Sequence, residues 1–187
     1  MKVVIDTSSL MALVRYYLPF DNDDSLKNFI ESKIDSGEII ILDKVIEESK
    51  YQAKGIILKT LGFLSEKSKH TKSNDLLPDK KFFNMLEHQF CIQVKKAQIN
   101  ATEFENQKRA YLESADAKLI LYCKNIKDND PLGVDKPILV TEETASENDN
   151  KLFKKIPLIC DILDINTCSL STLLQSHFNL KLSEFLK

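Results

Sequence analysis

The sequence KVVIDTSS, at residues 2–9, decides the fold. It begins with a run of β-branched side chains from Val3 to Ile5, which favours a buried strand. The hydroxyl residues Thr7 to Ser9 then offer caps for a helix over about 10–17, where apolar positions recur at helical spacing. The chain therefore opens with a strand, a turn and a helix.

Outward from this stretch, strands and helices alternate. The pattern predicts a helix over 24–35, a strand over 38–42, a helix through about Lys54, a strand over 138–140 and a weaker strand over 165–170. Between 55 and 129 it predicts helices only. Because strands separated by helices pair in parallel, we expect a three-layer α/β/α sandwich with a central, mostly parallel sheet and an enlarged helical middle. We expect one domain over 1–187, with a helical insertion over roughly 55–112.

The composition limits the classes of protein that remain. With 187 residues, 43% of them hydrophobic, the chain can bury one core. Its 26 basic and 28 acidic side chains give a net charge of -2, which excludes a wholly basic nucleic-acid binder. The apolar runs are too short for a membrane span or an export signal, so we expect a cytoplasmic protein without membrane contact. The scattered cysteines and histidines argue against a zinc site.

Acidic residues follow the predicted strands. Asp6 comes after the first strand, Asp43 after the second, and Glu142 and Glu143 after the third. In an open parallel sheet, ligands bind beyond the carboxyl ends of the strands, so these acids should gather at one edge. For Asp43 we expect helix N-capping to be the whole explanation. That explanation is weaker for Asp6, because Thr7 to Ser9 already offer cap oxygens.

Two further acids are expected to point inward from helices. Asp116 shares a helix face with the apolar stripe of Leu119, Ile120 and Cys123, although complementing the helix dipole would also explain an acid in the first turn. Glu48 lies one turn after Val45 and is the inward member of its pair, whereas Glu47 lies on a solvated face.

An ordered set of motifs resembles the PIN-domain family. The set is VIDTS at 4–8, VIEE at 45–48, ADAKLI at 115–120 and ILVTEE at 138–143. RYYLPFD at 15–21 and KIPLIC at 155–160 resemble, more closely, a bacterial PIN subfamily of poorly characterised proteins. The family contains metal-dependent nucleases, among them the VapC-type toxins of bacterial toxin-antitoxin pairs. Each motif is weak alone, whereas their order is specific.

The resemblance implies a set of site residues and a cofactor. The catalytic metal ligands would be Asp6, Glu48, Asp116 and Glu143, with Glu142 and Asp149 as alternatives for the fourth acid. The implied cofactor is Mg²⁺ or Mn²⁺, because these hard ions prefer carboxylate and water oxygens. Supporting hydroxyls would come from Thr7, Ser8 and Thr141, for which ordinary turn and cap bonding is an equally good explanation.

The resemblance also implies an activity and partners. The activity would be Mg²⁺- or Mn²⁺-dependent endoribonuclease cleavage, with the chain as the toxin of a toxin-antitoxin pair. Its partners would be an RNA substrate, an antitoxin protein and a second copy of the chain in a homodimer. The alternative is a non-catalytic PIN-like module that binds RNA or protein. A haloacid-dehalogenase-type phosphohydrolase would need an acid where Ser8 stands.

Overall fold

The central sheet determines where the predicted site residues can meet. The structure is a computed structural model that describes residues 1–130, 133, 136–146 and 151–185. Its strands are β1 (Lys2–Ile5), β2 (Ile39–Ile40), β3 (Pro137–Val140) and β4 (Asn166–Cys168). All of their pairings are parallel, and the strand order is β2-β1-β3-β4. The predicted three-layer α/β/α sandwich is confirmed.

Burial explains why the strand sequences lack alternation. In β1, Val3, Val4 and Ile5 are at most 1% exposed, so consecutive side chains are covered on both faces of the sheet. That is the usual environment of a parallel strand between helical layers. The second strand is shorter than predicted, because the carbonyl of Ile41 accepts a hydrogen bond from the backbone of Thr71 and Leu42 bridges the same residue.

Helices connect and cover the strands. They are α1 (Thr7–Ala12), α2 (Ser25–Asp35), α3 (Asp43–Tyr51), α4 (Ile56–Thr60), α5 (Lys80–Met85), α6 (Gln93–Lys96), α7 (Ala101–Leu112), α8 (Ala115–Asp128), α9 (Ile156–Leu163), α10 (Leu170–Thr172) and α11 (Leu182–Phe185). π-helical turns follow α1, α5 and α10 at Leu13–Tyr17, Leu86–Phe90 and Leu173–His177. Short 3₁₀ turns lie at Leu18–Phe20, Gln52–Gly55, Gly62–Ser65 and Lys67–Lys69. Among the described residues, no helix has the length and apolar character needed to cross a membrane.

The helix α8 lies at the centre of the packing. It contacts β3, α9 and α3, and its side chains at Leu119, Ile120 and Cys123 are fully buried. The apolar stripe predicted for this helix is therefore confirmed. Because the stripe fixes the rotation of α8, it also fixes the direction in which Asp116 points from the first turn.

The helical middle shares its core with the sheet. Phe82 and Phe90 pack edge to face with their ring centroids 5.4 Å apart, and both belong to the same buried cluster as the strand residues. An isolated bridge between Cys91 and Phe153 ties this region to the segment before α9. The region expected as an insertion therefore packs against the core of the sandwich.

Asp43 does not have the role that its position predicted. The N-cap residue of α3 is Leu42, and Asp43 occupies the first helical position. Its carboxylate accepts hydrogen bonds from the backbone of Lys44 and from the backbone and hydroxyl of Ser73. Asp43 thus ties α3 to the segment after the 3₁₀ turns, which no local sequence signal indicates.

Candidate metal centre

Asp6 lies at the carboxyl end of β1 and is 4% exposed. Its Oδ1 accepts a hydrogen bond from the backbone N–H of Ser9 at 2.8 Å, so Asp6 is the N-cap of α1. The expectation that Thr7 to Ser9 would supply the cap was wrong, because the extended backbone of Asp6 places its own carboxylate over the first turn. Burial raises the pKa of Asp6 above its ordinary value, and its hydrogen bonds oppose this rise.

Thr141 connects the ends of the two central strands. Because β1 and β3 pair in register, with Ile5 opposite Val140, the residues that follow them are adjacent. The hydroxyl of Thr141 donates to Asp6 Oδ2 at 2.6 Å and accepts from the backbone N–H of Glu143 at 3.1 Å. The Thr141 hydroxyl thus positions the carboxylate of Asp6 and the backbone of Glu143, which are two of the predicted ligands.

Two other predicted hydroxyls also contact carboxylates. The Ser8 hydroxyl lies 2.9 and 3.0 Å from the two carboxylate oxygens of Asp6. The Thr7 hydroxyl donates to Glu48 Oε2 at 2.5 Å, across the interface of α1 with α3. Thr7, Ser8 and Thr141 therefore all hold carboxylates in place, in addition to any role that they have in the turn.

Glu48 points into the protein and Glu47 points out of it, as predicted. The second carboxylate oxygen of Glu48 accepts a hydrogen bond from the Gln52 side chain at 3.0 Å. Glu47 is paired with Lys44 at 3.0 Å, and its side chain is 57% exposed. The two neighbours therefore provide a natural comparison between a held and a solvated carboxylate.

Asp116 is the predicted ligand whose pKa is shifted most. It occupies the first turn of α8, whose N-cap is Ser114. Among the described residues it has no hydrogen-bond partner. Its pKa is raised from the ordinary 3.8 to about 6, mainly by burial and also by the negative charges of Glu143, Glu48 and Asp6, against the opposing effect of Lys151. The four predicted ligands thus share one electrostatic environment.

The structure separates the two glutamates after β3. Glu143 acts on the titration of Asp116, and its Oε2 accepts a hydrogen bond from the backbone of Ile156 at the start of α9, at 3.1 Å. Glu142 Oε1 instead accepts from the backbone of Leu170 at the start of α10, at 2.7 Å. This geometry favours Glu143 over Glu142 as the fourth acid. The remaining alternative, Asp149, lies outside the described residues.

The donor chemistry suits a hydrated hard ion. Within the described part of the chain, no three carboxylate, imidazole or thiol side chains are close enough to hold a metal ion directly. The groups that do gather are carboxylate and hydroxyl oxygens, and Mg²⁺ commonly keeps several waters while binding one or two carboxylates. Asp116 carries the feature that fits a cation best, because its half-buried carboxylate has neither a hydrogen-bond donor among the described residues nor an ordinary pKa.

Tyr111 belongs to this environment, although sequence analysis did not single it out. Its hydroxyl is buried and has no hydrogen-bond partner among the described residues. Burial raises its pKa well above the ordinary value, with smaller contributions from Asp116, Cys160 and Glu143. The ring stacks on Phe153, with centroids 4.4 Å apart. Tyr111 lies in the last turn of α7, and the spacing of residues within that helix does not predict that Tyr111 approaches Asp116 in the next helix.

The fold and the site define a class of protein. It is an α/β sandwich with the buried carboxylate of Asp6 at the carboxyl edge of its parallel sheet, in a common electrostatic environment with the half-buried Asp116. Over residues 3–179 the chain matches the family described as a domain of unknown function, DUF4411. Because the match spans most of its length, the chain belongs to this family. No curated protein and no solved structure matches it.

Proposed function

We propose that this protein is a Mg²⁺- or Mn²⁺-dependent endoribonuclease of the PIN type, acting in the cytoplasm as the toxin of a toxin-antitoxin pair. The observation that carries the proposal is the raised pKa of Asp116, to which Glu143, Glu48 and Asp6 all contribute. The negative charges of these three acids disfavour the ionised form of Asp116 unless a cation accompanies them. Phosphodiester hydrolysis uses such a divalent cation to activate water and to neutralise charge on the phosphoryl oxygens.

The chain's own residues position the acids. Asp6 is held by three separate donors, and Glu48 accepts from Thr7 and Gln52. These contacts restrict side-chain rotation, so both carboxylates are preorganised for a ligand. Asp116 is the exception, because its oxygens have no donors among the described residues, and it is the acid best able to adjust to a ligand.

A bound divalent ion would supply charge neutralisation on the phosphoryl oxygens and an activated water. Asp6, Glu48, Asp116 and Glu143 would hold it, in part through water. Near pH 6 the metal-free Asp116 is about half protonated, so it gives up a proton when a cation shares the site. Ion binding should therefore weaken as the pH falls below about 6.

One observation favours the second candidate, a non-catalytic module that binds RNA or protein. It is the lack, among the described residues, of three side chains close enough to ligate a metal directly. The two candidates differ in one measurable property. A nuclease converts RNA to shorter products and stops when EDTA is added, whereas the module leaves the RNA intact under both conditions.

The decisive experiment is a cleavage assay with purified protein and Mg²⁺ or Mn²⁺. We expect the wild type to cleave RNA, and we expect Asp6→Asn and Asp116→Asn to lose several orders of magnitude in rate while remaining folded. Asp161→Asn is the matched control, because Asp161 is an exposed aspartate of the neighbouring helix α9. Cleavage at the wild-type rate by both site variants would show that the site is assigned wrongly.

The toxin role has a separate test. Induced expression of the wild-type chain should arrest bacterial growth, and Asp116→Asn should not. Co-expression of a small open reading frame adjacent to the gene should restore growth if it encodes the antitoxin. Active enzyme without growth arrest would identify a nuclease of another cellular role.

A further inference from the structure

A groove opens beside the carboxylates, on the side of α1. Its volume is about 540 Å³, and it is lined by Ser8, Met11, Ala12, Arg15, Tyr16, Tyr17, Gln52 and Glu142. Two of these residues also hold predicted ligands, because Ser8 donates to Asp6 and Gln52 donates to Glu48. The groove and the candidate metal centre therefore share a wall.

The groove carries an exposed aromatic side chain and an arginine. Tyr16 is 67% exposed, and Arg15 beside it is exposed as well. Both belong to a π-helical turn, a local distortion that is frequent at functional sites. They also begin the RYYLPFD motif, in which Tyr17 and Leu18 pack against the core and Asp21 accepts hydrogen bonds at the start of α2, whereas Arg15 and Tyr16 are exposed. Tyr16 thus presents an aromatic ring in a concave surface next to the candidate metal centre, where a ligand could contact it.

The chemistry of these two side chains selects one class of ligand. An exposed tyrosine ring offers a flat face on which an unpaired nucleobase can stack, and an arginine pairs with phosphate. Bases in a duplex have both faces covered by their neighbours, so only single-stranded nucleic acid can use such a ring. Glu142 is the one acid in this lining; it keeps its negative charge while its Oε1 accepts a hydrogen bond from the backbone of Leu170, so we expect the phosphate to lie at Arg15 and away from Glu142.

We propose that this groove binds single-stranded RNA, with a base stacked on Tyr16 and a backbone phosphate on Arg15, and that it delivers the strand to the carboxylates through the wall formed by Ser8 and Gln52. This inference rests on the proposed function, because it names the substrate class of the candidate metal centre. Stacking tolerates every base, and the chain has only two arginines that could read base edges. We therefore expect the groove to distinguish single-stranded from double-stranded RNA, and not one base sequence from another.

The test measures binding rather than cleavage. A fluorescein-labelled, non-self-complementary oligoribonucleotide is titrated with protein in EDTA at fixed salt, and fluorescence anisotropy gives the dissociation constant. We expect Tyr16→Ala to weaken binding roughly 5- to 100-fold, and Tyr16→Phe, which keeps the ring, to bind like the wild type. Arg15→Ala should weaken binding and reduce the slope of log affinity against log salt by about 0.7.

Two comparisons make the outcome specific. Tyr51→Ala is the matched control, because Tyr51 is 85% exposed but lies outside the groove lining, and it should bind like the wild type. The duplex formed with the complementary strand should bind at least about 10-fold more weakly than the single strand. Equal binding of duplex and single strand, or an unchanged dissociation constant for Tyr16→Ala, overturns the inference.

Failure of this inference differs from failure of the proposed function. If the wild type binds single strands through Tyr16 but never cleaves them, the groove stands and the nuclease proposal fails. If the wild type cleaves, and Tyr16→Ala has the same KM for a single-stranded substrate, the nuclease proposal stands and the groove assignment fails.

Discussion

Replacing Asp116 by asparagine should stabilise the metal-free protein near neutral pH. The folded pKa of Asp116 is about 6, against an ordinary value of 3.8, so the folded state binds this proton more tightly than the unfolded chain does. A difference of roughly two pH units corresponds to about 3 kcal/mol of folding free energy that ionisation removes. The neutral asparagine escapes this penalty.

The sign of the effect depends on pH in a defined way. Because the folded pKa is raised, the contribution of Asp116 to stability falls as the pH rises from about 4 to about 6, and it stays low above that window. The advantage of Asp116→Asn should therefore be largest at pH 7.5, at up to about 3 kcal/mol, and about half as large at pH 5. For a chain of this length, the larger value raises Tm by up to roughly 6 to 12 °C.

Metal ions should cancel the advantage of Asp116→Asn at about 100 times the dissociation constant and reverse the order of the two proteins at about 1,000 times, where the gain of the wild type is about 4.1 kcal/mol. An ion that binds only the folded state stabilises it by about 2.7 kcal/mol at 100 times its dissociation constant. The wild type should therefore gain Tm when Mn²⁺ or Mg²⁺ is added at pH 7.5, whereas Asp116→Asn should gain little. The lost response follows from the loss of a charged oxygen ligand.

These differences in Tm are measured by thermal scans at pH 5 and pH 7.5, each in EDTA and in Mn²⁺. The proteins compared are the wild type, Asp116→Asn and Asp161→Asn. Asp161→Asn removes an exposed carboxylate and should follow the wild type throughout. A lower Tm for Asp116→Asn than for the wild type in EDTA at pH 7.5 would refute the reasoning. It would mean that Asp116 stabilises the dipole of α8 by more than its burial and its acidic neighbours destabilise the fold.

Three further substitutions test single contacts of the site. In a cleavage assay, Glu48→Gln should lower the rate severely, whereas Glu47→Gln should change little because that carboxylate is solvated; equal small effects would remove Glu48 from the ligand set. In urea denaturation, Thr141→Val should destabilise the protein by about 2 kcal/mol, because Asp6 loses a charge-assisted hydrogen bond, and Thr141→Ser should retain most of the stability. Tyr111→Phe should leave the free energy of unfolding unchanged or raise it by about 1 kcal/mol, since it removes a buried hydroxyl that lacks a partner; a clear loss would mean that the hydroxyl is bonded.

Local sequence patterns predicted those parts of the fold in which burial depends on a single strand or on one face of a helix. The uninterrupted apolar run at Val3 to Ile5 predicted a strand covered on both faces, and the structure confirms it. The stripe of α8 predicted its buried face, and the spacing in α3 predicted that Glu48 would point inward. These features depend on periodicity, which is a property of neighbouring residues.

Tertiary structure alone decided which partner each polar group found. Asp6 rather than Thr7 caps α1, because the backbone angles at the end of β1 set the direction of its carboxylate. The distinction between Glu142 and Glu143 depends on which helix start lies within reach of each side chain, α10 for one and α9 for the other.

Tyr111 approaches Asp116 only because the turn between α7 and α8 brings two helix ends together. Its backbone carbonyl accepts hydrogen bonds from the backbone and the hydroxyl of Ser114, which is the N-cap residue of α8. Hydrogen bonds and charge interactions act over a few ångströms in space, whereas a sequence records only order along the chain. The sequence by itself therefore determined the layers and the inward acids, and the folded chain determined where the second and fourth strands end, the partners of the acids and their pKa values.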